Sequence, residues 1–280
     1  MSNVRKAKHG WVLTLVFSLI SIAYIMPILI VLMNSFKRKI FISNRPFALP
    51  DAKSFVKIEN YINGIQKTDF FRAFGYTLFI TVGSVFVIVL CTSMCAWYIS
   101  RVKNKWTTGI YYLFAFSMIV PFQMVMFTLS KIADMLHLGN PVGIIIVYLG
   151  FGAGLAVFMF CGFVRSIPLE IEESAMIDGC NPVQTYFKIV FPVMKPTAIS
   201  VAILETMWVW NDYLLPYLVL KINKYKTIQI AIQYLKGGYG AIDMGAMMAM
   251  IVLAIIPIIL FYGFCQKYII EGVISGAVKG

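Results

Sequence analysis

The sequence has few charged residues for its length. Only 13% of its 280 residues are charged, whereas 60% are hydrophobic and the mean hydropathy is +0.82. Soluble domains carry about 25% charged residues, which they need to cover their surface. A chain of this composition cannot cover a surface that faces water, so we expect an integral membrane protein.

Acidic residues are the scarcer charged type, with 12 against 24 Lys and Arg, and the formal net charge is +12. Such an excess suits either nucleic acid or anionic lipid. The basic residues lie in short segments between long apolar runs, and no polar domain is present that could hold a duplex. The sequence therefore predicts membrane lipid as a partner and no nucleic acid.

The sequence also lacks the residue sets of common catalytic and metal sites. It has only two histidines, and no Ser–His–acid or Cys–His set is recognisable. The phosphate-binding pattern G-x-x-x-x-G-K-[ST] is absent as well. We therefore expect a non-catalytic chain that holds no metal and binds no cofactor of its own, ATP included.

Long apolar runs make up most of the sequence. Crossing a hydrocarbon core of about 30 Å takes about 20 mostly apolar residues in a helix. The sequence predicts an all-α integral membrane protein with six transmembrane helices, at about residues 11–34, 75–99, 107–129, 141–164, 196–219 and 244–266. A loop at 35–74 is expected to hold a short interfacial helix near residues 59–66. Six crossings put both termini on one side, but the basic residues divide almost equally between the two sides and do not decide which.

The fifth apolar run, 196–219, contains two acids, Glu205 and Asp212. Together they cost roughly 5 to 7 kcal/mol of insertion free energy, against roughly 3 to 6 kcal/mol gained from Val, Ile and Leu. The segment can therefore span only if its acids face protein or water, or lie toward an interface.

The loop at 166–196 has the densest set of local signals. Ser166 is expected to cap a short helix with Pro168 in its opening turn, and Gly179 is expected to end it. Three acids follow the predicted start, near the positive end of the helix dipole: Glu170, Glu172 and Glu173. The segment from Asn181 to Gln184 predicts a second helix by a capping-box pattern.

Two interpretations of the first short helix remain open: an amphipathic helix on the membrane surface, or a helix that docks into another protein. The three acids do not suit anionic lipid, which favours Lys and Arg on such a helix. Ala175 and Gly179, four residues apart, form a small-residue stripe that a foreign backbone could approach closely. We favour docking into a protein groove.

The same segment resembles the EAA loop of ABC importer permeases, whose pattern is E-A-A, three residues, G, nine residues, I-x-L-P. Here it is Glu173-Ser174-Ala175 with Gly179, followed by Ile189-Val190-Phe191-Pro192, so that Ser174 replaces Ala and Phe191 replaces Leu. Three further segments look like the carbohydrate-importer subgroup, and in particular its MalG-like subunits: Asn34-Ser35-Phe36-Lys37, Trp210-Asn211-Asp212-Tyr213 and Gly276-Ala277-Val278-Lys279-Gly280.

The resemblance implies an ABC importer type I permease fold over residues 1–280, as a single transmembrane domain with a cytoplasmic coupling helix. The termini would be cytoplasmic and residues 35–74 extracellular, in a bacterial or archaeal cell membrane. The implied partners are a second, MalF-like permease that completes a heterodimer, two ABC ATPase subunits that hold ATP and Mg, and an extracellular sugar-binding protein.

The resemblance also assigns roles to residues. Those expected to couple to the ATPase are Glu172, Glu173, Ser174, Ala175, Asp178, Gly179, Ile189 and Pro192 in the EAA loop at 166–196. The C-terminal tail, Gly276, Ala277, Val278, Lys279 and Gly280, is expected to contact the ATPase dimer.

A sugar path can be assigned only by polar residues within the apolar runs. The candidates are Gln123, Glu205, Trp208, Asn211 and Asp212. Intramembrane acids indicate function by default, yet the alternatives of helix packing and contact with the second permease stay open. The competing function is an ion-coupled secondary transporter, in which Glu205 and Asp212 would bind protons or sodium.

Overall fold

Helices form nearly all of the regular structure. The computed structural model describes residues 10–235 and 243–277, with side chains up to residue 268. Within these residues no strand is formed, and Lys37 and Phe55 make an isolated antiparallel bridge. The helices are α1 (Gly10–Asn34), α2 (Lys39–Asn44), α3 (Glu59–Thr68), α4 (Phe70–Arg101), α5 (Lys105–Ser117), α6 (Phe122–Met135), α7 (Gly143–Val164), α8 (Leu169–Ile177), α9 (Pro182–Thr185), α10 (Phe191–Asn211), α11 (Leu214–Val219), α12 (Ile228–Gln233) and α13 (Met244–Ala277). A π-helical turn, Tyr186–Val190, joins α9 to α10.

Five helical stretches of the described chain are individually long and apolar enough to cross a membrane: α1, α4, α7, the continuous run Pro182–Asn211, and α13. Helices α5 and α6 meet this criterion only as a pair, and they are bent by 108°. The segment expected to span over 107–129 is therefore two helices, and its crossing of the membrane stays a prediction. Pro121 explains the bend, because proline lacks an N–H and disfavours the α conformation in the residue before it. That the chain crosses six times stays a prediction.

The fifth span also differs from the predicted 196–219. The helix already begins at Pro182 and runs through the π turn to Asn211. It ends there because Asp212 adopts an extended conformation and its Oδ1 accepts the N–H of Leu214 at 3.0 Å, which starts α11. The second half of the loop at 166–196 is thus the beginning of the helix that contains the fifth candidate span.

The chain forms two compact units, of which the first comprises residues 1–70 and 232–257. The short helix predicted near residues 59–66 is present in it as α3, and its place at the membrane interface stays a prediction. Lys67 Nζ donates to Asp243 Oδ2 at 2.5 Å, and Asp243 Oδ1 accepts the N–H of Ala246 in the first turn of α13. Burial by itself raises the pKa of Asp243, but the hydrogen bonds from Lys67 and Ala246, together with the positive charges of Lys67 and Lys39, outweigh it and hold that pKa below its usual value.

The second unit comprises residues 71–231 and 258–280. Helices α5 and α10 pack against α7. Of the 18 residues that make up the apolar stretch of α7, 56% are buried. Close packing there depends on small residues. A Cβ added to Gly152 would lie 2.7 Å from Cδ1 of Ile88, so the Ile88 side chain would have to shift to make room for it.

Candidate functional site

Helix α8 ends in a Schellman motif. The N–H of Cys180 bonds to the carbonyl of Ala175, and the N–H of Gly179 bonds to the carbonyl of Met176, both at 3.0 Å. Gly179 has a φ of +85°, a conformation that glycine adopts without strain. The predicted end of the helix at Gly179 is therefore confirmed.

Helix α9 starts directly afterwards with the predicted capping box. Asn181 Oδ1 accepts the N–H of Gln184 at 2.9 Å, and Gln184 Oε1 accepts the N–H of Asn181 at 3.0 Å. In the π turn that follows, the buried Tyr186 hydroxyl lies 2.6 Å from the hydroxyl of Ser93 on α4. Helix α8 packs against α9 and this π turn, so the short helices form one assembly held on α4.

The buried Glu172 side chain connects α8 to the C-terminal end of α4 through hydrogen bonds. Its Oε1 accepts hydrogen bonds from Nε and Nη2 of Arg101 at 2.8 and 2.6 Å, and its Oε2 accepts one from Nε1 of Trp97 at 2.9 Å. Arg101 Nη2 also donates to the carbonyl of Ile167 at 3.0 Å. Both carboxylate oxygens thus have donors, one of them charged, although Glu172 is only 1% exposed. We refer to Glu172, Arg101 and Trp97 as the clasp.

The docking interpretation treated all three acids of this helix alike, and for Glu172 it is wrong, because Glu172 is buried within the chain. Glu172 and Ala175 are three residues apart, so they share one face of α8, and that face packs against the rest of the chain. Ala175 is 6% exposed and is not available to a foreign backbone. The predicted cap is also wrong, because Pro168 holds the N-cap position and the Ser166 hydroxyl bonds to the carbonyl of Phe163.

The rest of the α8 surface and its C-terminal end are exposed and carry both charged and apolar side chains. We define this outer face as Glu170, Glu173, Ser174, Met176, Ile177, Asp178 and Gly179, all of them exposed. Ile177 has 86% of its surface exposed and Met176 has 54%. Large apolar side chains grouped on a surface mark interaction sites. Of the other predicted coupling residues, Ile189 is half-buried in the π turn and Pro192 is exposed at the start of α10.

Two of the candidate sugar-path residues, Trp208 and Asp212, contact a residue that sequence analysis missed. The hydroxyl of Tyr148 on α7 donates to Asp212 Oδ2 at 3.1 Å. The Tyr148 ring packs edge-on against the ring of Trp208, with centroids 5.4 Å apart. Asp212 thus serves as a structural junction that holds α7 and starts α11. Tyr148 gave no signal because it is one aromatic residue in a uniformly apolar run.

Glu205 is the candidate with unused hydrogen-bonding capacity. It is 3% exposed, and its Oε2 makes no hydrogen bond to any part of the chain that the structure describes. The carboxylate lies against Gly152, where an added Cβ would come within 2.9 Å of Oε2. Gly152 follows Tyr148 by one helical turn, so the same face of α7 contacts Glu205 on α10 and Asp212 just after α10.

The remaining candidates are separate from this group. Asn211 is exposed and its amide donates to the carbonyl of Met207 at 2.7 Å, while Gln123 is exposed on α6. Gly276 and Ala277 form the end of α13. Val278, Lys279 and Gly280 lie outside the described residues.

The family described as "Binding-protein-dependent transport system inner membrane component" matches residues 88–275, which include α8, the clasp and α10. The chain belongs to this family. As a permease of the family it is a non-catalytic transport subunit and a multi-pass membrane protein. The predicted resemblance to ABC importer permeases is confirmed.

Relatives and a solved structure agree with this family over nearly the whole chain. The chain is 36% identical to the "Probable starch degradation products transport system permease protein AmyC" of Thermoanaerobacterium thermosulfurigenes, over 96% of this chain and 97% of that one. It is 31% identical to the "Multiple sugar-binding transport system permease protein MsmG" of Streptococcus mutans, over 100% of both chains. A chain in the crystal structure of a bacterial ABC transporter involved in alginate import shares its fold, with a TM-score of 0.79, 20% identity, and 96% and 99% of the two chains covered. The all-α permease fold is thereby confirmed.

Proposed function

We propose that this permease is a transmembrane subunit of an ATP-driven importer of sugars of oligosaccharide size. The names of two near full-length relatives, which refer to starch degradation products and to multiple sugars, support the substrate class. The observation that carries the coupling mechanism is the outer face of α8, an exposed acidic and apolar surface on a helix that the chain itself holds rigidly.

The proposed partners follow from what the chain lacks and from what α8 offers. The sequence has no phosphate-binding loop, so ATP and Mg would be held by two separate ABC ATPase subunits. The outer face of α8 would seat in a groove of one of them, on the cytoplasmic side, with the C-terminal tail near the ATPase dimer. A second permease would complete the pathway, and an extracellular sugar-binding protein would deliver the sugar. The family description as a binding-protein-dependent transport system supports the delivery by a binding protein.

The proposed mechanism is alternating access. When ATP binding closes the ATPase pair, α8 is displaced. Because the clasp joins α8 to Arg101 and Trp97 at the end of α4, and Tyr186 joins the π turn to the same helix, the displacement reaches α4 and α10 together. The paired permeases then open outward to receive the sugar.

Glu205 is the best supported residue of the proposed sugar path. Its unbonded Oε2 can accept a hydrogen bond from a donor outside the described chain, such as a sugar hydroxyl or a group of the second permease. Asp212 is less suited, because the Tyr148 hydroxyl and the N–H of Leu214 already use its two oxygens.

The direct test is uptake by the purified complex. The chain is co-expressed with its companion subunits and reconstituted into liposomes that contain ATP and Mg, and uptake of a labelled starch-derived oligosaccharide is measured with the binding protein present. Uptake is expected only with ATP inside and with all subunits present. Uptake by this chain alone, driven by a proton or sodium gradient and abolished by Glu205→Gln, would instead establish the secondary transporter, which the family membership does not favour.

Gly179 offers a sharper test of the role of α8. Gly179→Val places a β-branched residue at a φ of +85°, which costs roughly 1 to 2 kcal/mol of local conformational free energy, so the last turn of α8 should reorganise. We expect at least a tenfold loss of ATP-driven uptake. Gly179→Asn is the matched control, because asparagine tolerates the left-handed conformation and no atom lies within 4 Å of the added Cβ. Wild-type uptake by a normally assembled Gly179→Val complex would contradict the proposal.

A further inference from the structure

A polar pocket lies where three helices end together. It is lined by the last turn of α4, the start of α5 and the residue that follows α7, and its volume is about 490 Å³. Three cations line it, Arg101, Lys103 and Arg165, and no acidic residue is among the described residues that line it. We refer to it as the basic pocket.

The cations of the basic pocket are not equivalent. Arg101 is engaged by Glu172 in the clasp. Lys103 and Arg165 are exposed, and neither forms a salt bridge with any of the described residues. The guanidinium of Arg165 lies over the ring of Tyr111, 4.8 Å from its centroid, which orients it. The pocket therefore presents two uncompensated charges, and a clustered charge of one sign calls for an anion.

The position of the basic pocket restricts the source of that anion. Helices α4 and α7 are membrane-span candidates, and the pocket is at their C-terminal ends. Tyr112, which lines it, is 65% exposed, and the neighbouring Trp106 is 83% exposed. Exposed Tyr and Trp at the ends of spans are typical of the membrane–water interface, where lipid headgroups lie. Basic pockets between transmembrane helices at this depth suit phosphate-containing headgroups.

We propose that the basic pocket binds the phosphate group of an anionic phospholipid, with Lys103 and Arg165 as its charged contacts and the tyrosine hydroxyls as further donors. Because Arg101 belongs both to the pocket wall and to the clasp, a lipid bound there sits against the junction between α8 and α4. The pocket is a feature of the fold, so this proposal does not depend on the proposed sugar transport.

The test is a lipid titration of the intact complex in neutral detergent, followed by native mass spectrometry, with phosphatidylglycerol and phosphatidylcholine as probes. The variant is Lys103→Gln with Arg165→Gln. We expect phosphatidylglycerol to bind more tightly than phosphatidylcholine, and the variant to lose roughly 20-fold in apparent affinity, because each basic residue near a headgroup contributes about fivefold. Lys103→Arg with Arg165→Lys keeps both charges and is expected to retain the binding.

A charge-matched control separates the pocket from general electrostatics. Lys131→Gln with Lys224→Gln also removes two exposed cations, and Lys224, like Arg165, lies over a tyrosine ring. Equal losses in the two double variants, or equal binding of the two lipids, would overturn the proposal. Displacement of phosphatidylglycerol by millimolar inorganic phosphate would overturn the lipid as the ligand and identify a free-phosphate site. All of these outcomes are independent of sugar uptake, so they also distinguish this proposal from the transport function.

Discussion

Replacing Glu172 with alanine is expected to lower the free energy of unfolding by about 3 to 5 kcal/mol, the usual cost of removing one partner of a buried ion pair. The reason is that Arg101, whose side chain is 18% exposed, would keep its charge without its carboxylate, and Trp97 would lose its acceptor. Unfolding of the purified chain by a graded increase of SDS in mixed micelles measures the change.

The neighbouring acid provides the matched control. Glu173 lies one residue further along α8 but on the outer face, so Glu173→Ala is expected to change the unfolding free energy by less than about 0.5 kcal/mol. A second comparison isolates the ion pair: replacing Glu172 and Arg101 together with methionine should recover much of the stability, since neither charge is then left unpaired. If Glu172→Ala and Glu173→Ala prove equally stable, the clasp contributes nothing and α8 is not held as described.

The parts of this site that sequence reasoning predicted are those fixed by neighbouring residues. Gly179 ends α8, and Asn181 with Gln184 starts α9, because a positive φ and a capping box involve atoms only a few residues apart. The family pattern likewise depends on fixed spacing along the chain.

The orientation of Glu172 could not be predicted, because its partner Arg101 is 71 residues away in the sequence. Three acids in one turn appear equivalent until the helix is packed, and which of them turns inward depends on what the rest of the fold presents. The sequence of α4, which supplies the hydrogen-bond donors, did contain an indication of this contact. Trp97 and Arg101 are one helical turn apart at the end of an apolar helix, so they share a face and can hold a carboxylate from outside it.

The bend between α5 and α6 and the π turn were missed for a different reason. Hydropathy shows that a segment is apolar, but it does not show whether one helix continues through it. The presence of Pro121 in the apolar run was therefore not enough to predict a bend of 108°. The π turn at Tyr186–Val190 has no local sequence signal. It is stabilised by long-range contacts such as that of Tyr186 with Ser93.

Charge reversal on the outer face of α8 is expected to have the largest effect on transport. Glu173→Lys leaves the clasp intact, so the unfolding free energy should stay within about 0.5 kcal/mol of the wild type. Placing a cation where the ATPase groove is proposed to meet a carboxylate costs several kcal/mol at such a contact, so we expect ATP-driven uptake to fall by about a hundredfold and the ATPase to be lost on purification.

The control for this reversal is Glu59→Lys, which changes another exposed acid, on α3 in the other compact unit. It should leave both uptake and co-purification unchanged. Comparing the two reversals separates a specific contact from a general change in net charge, because each makes the chain more positive by the same amount. A Glu173→Lys complex that retains its ATPase and transports sugar normally would mean that α8 does not meet the ATPase through its outer face, even if the clasp is found to stabilise the fold.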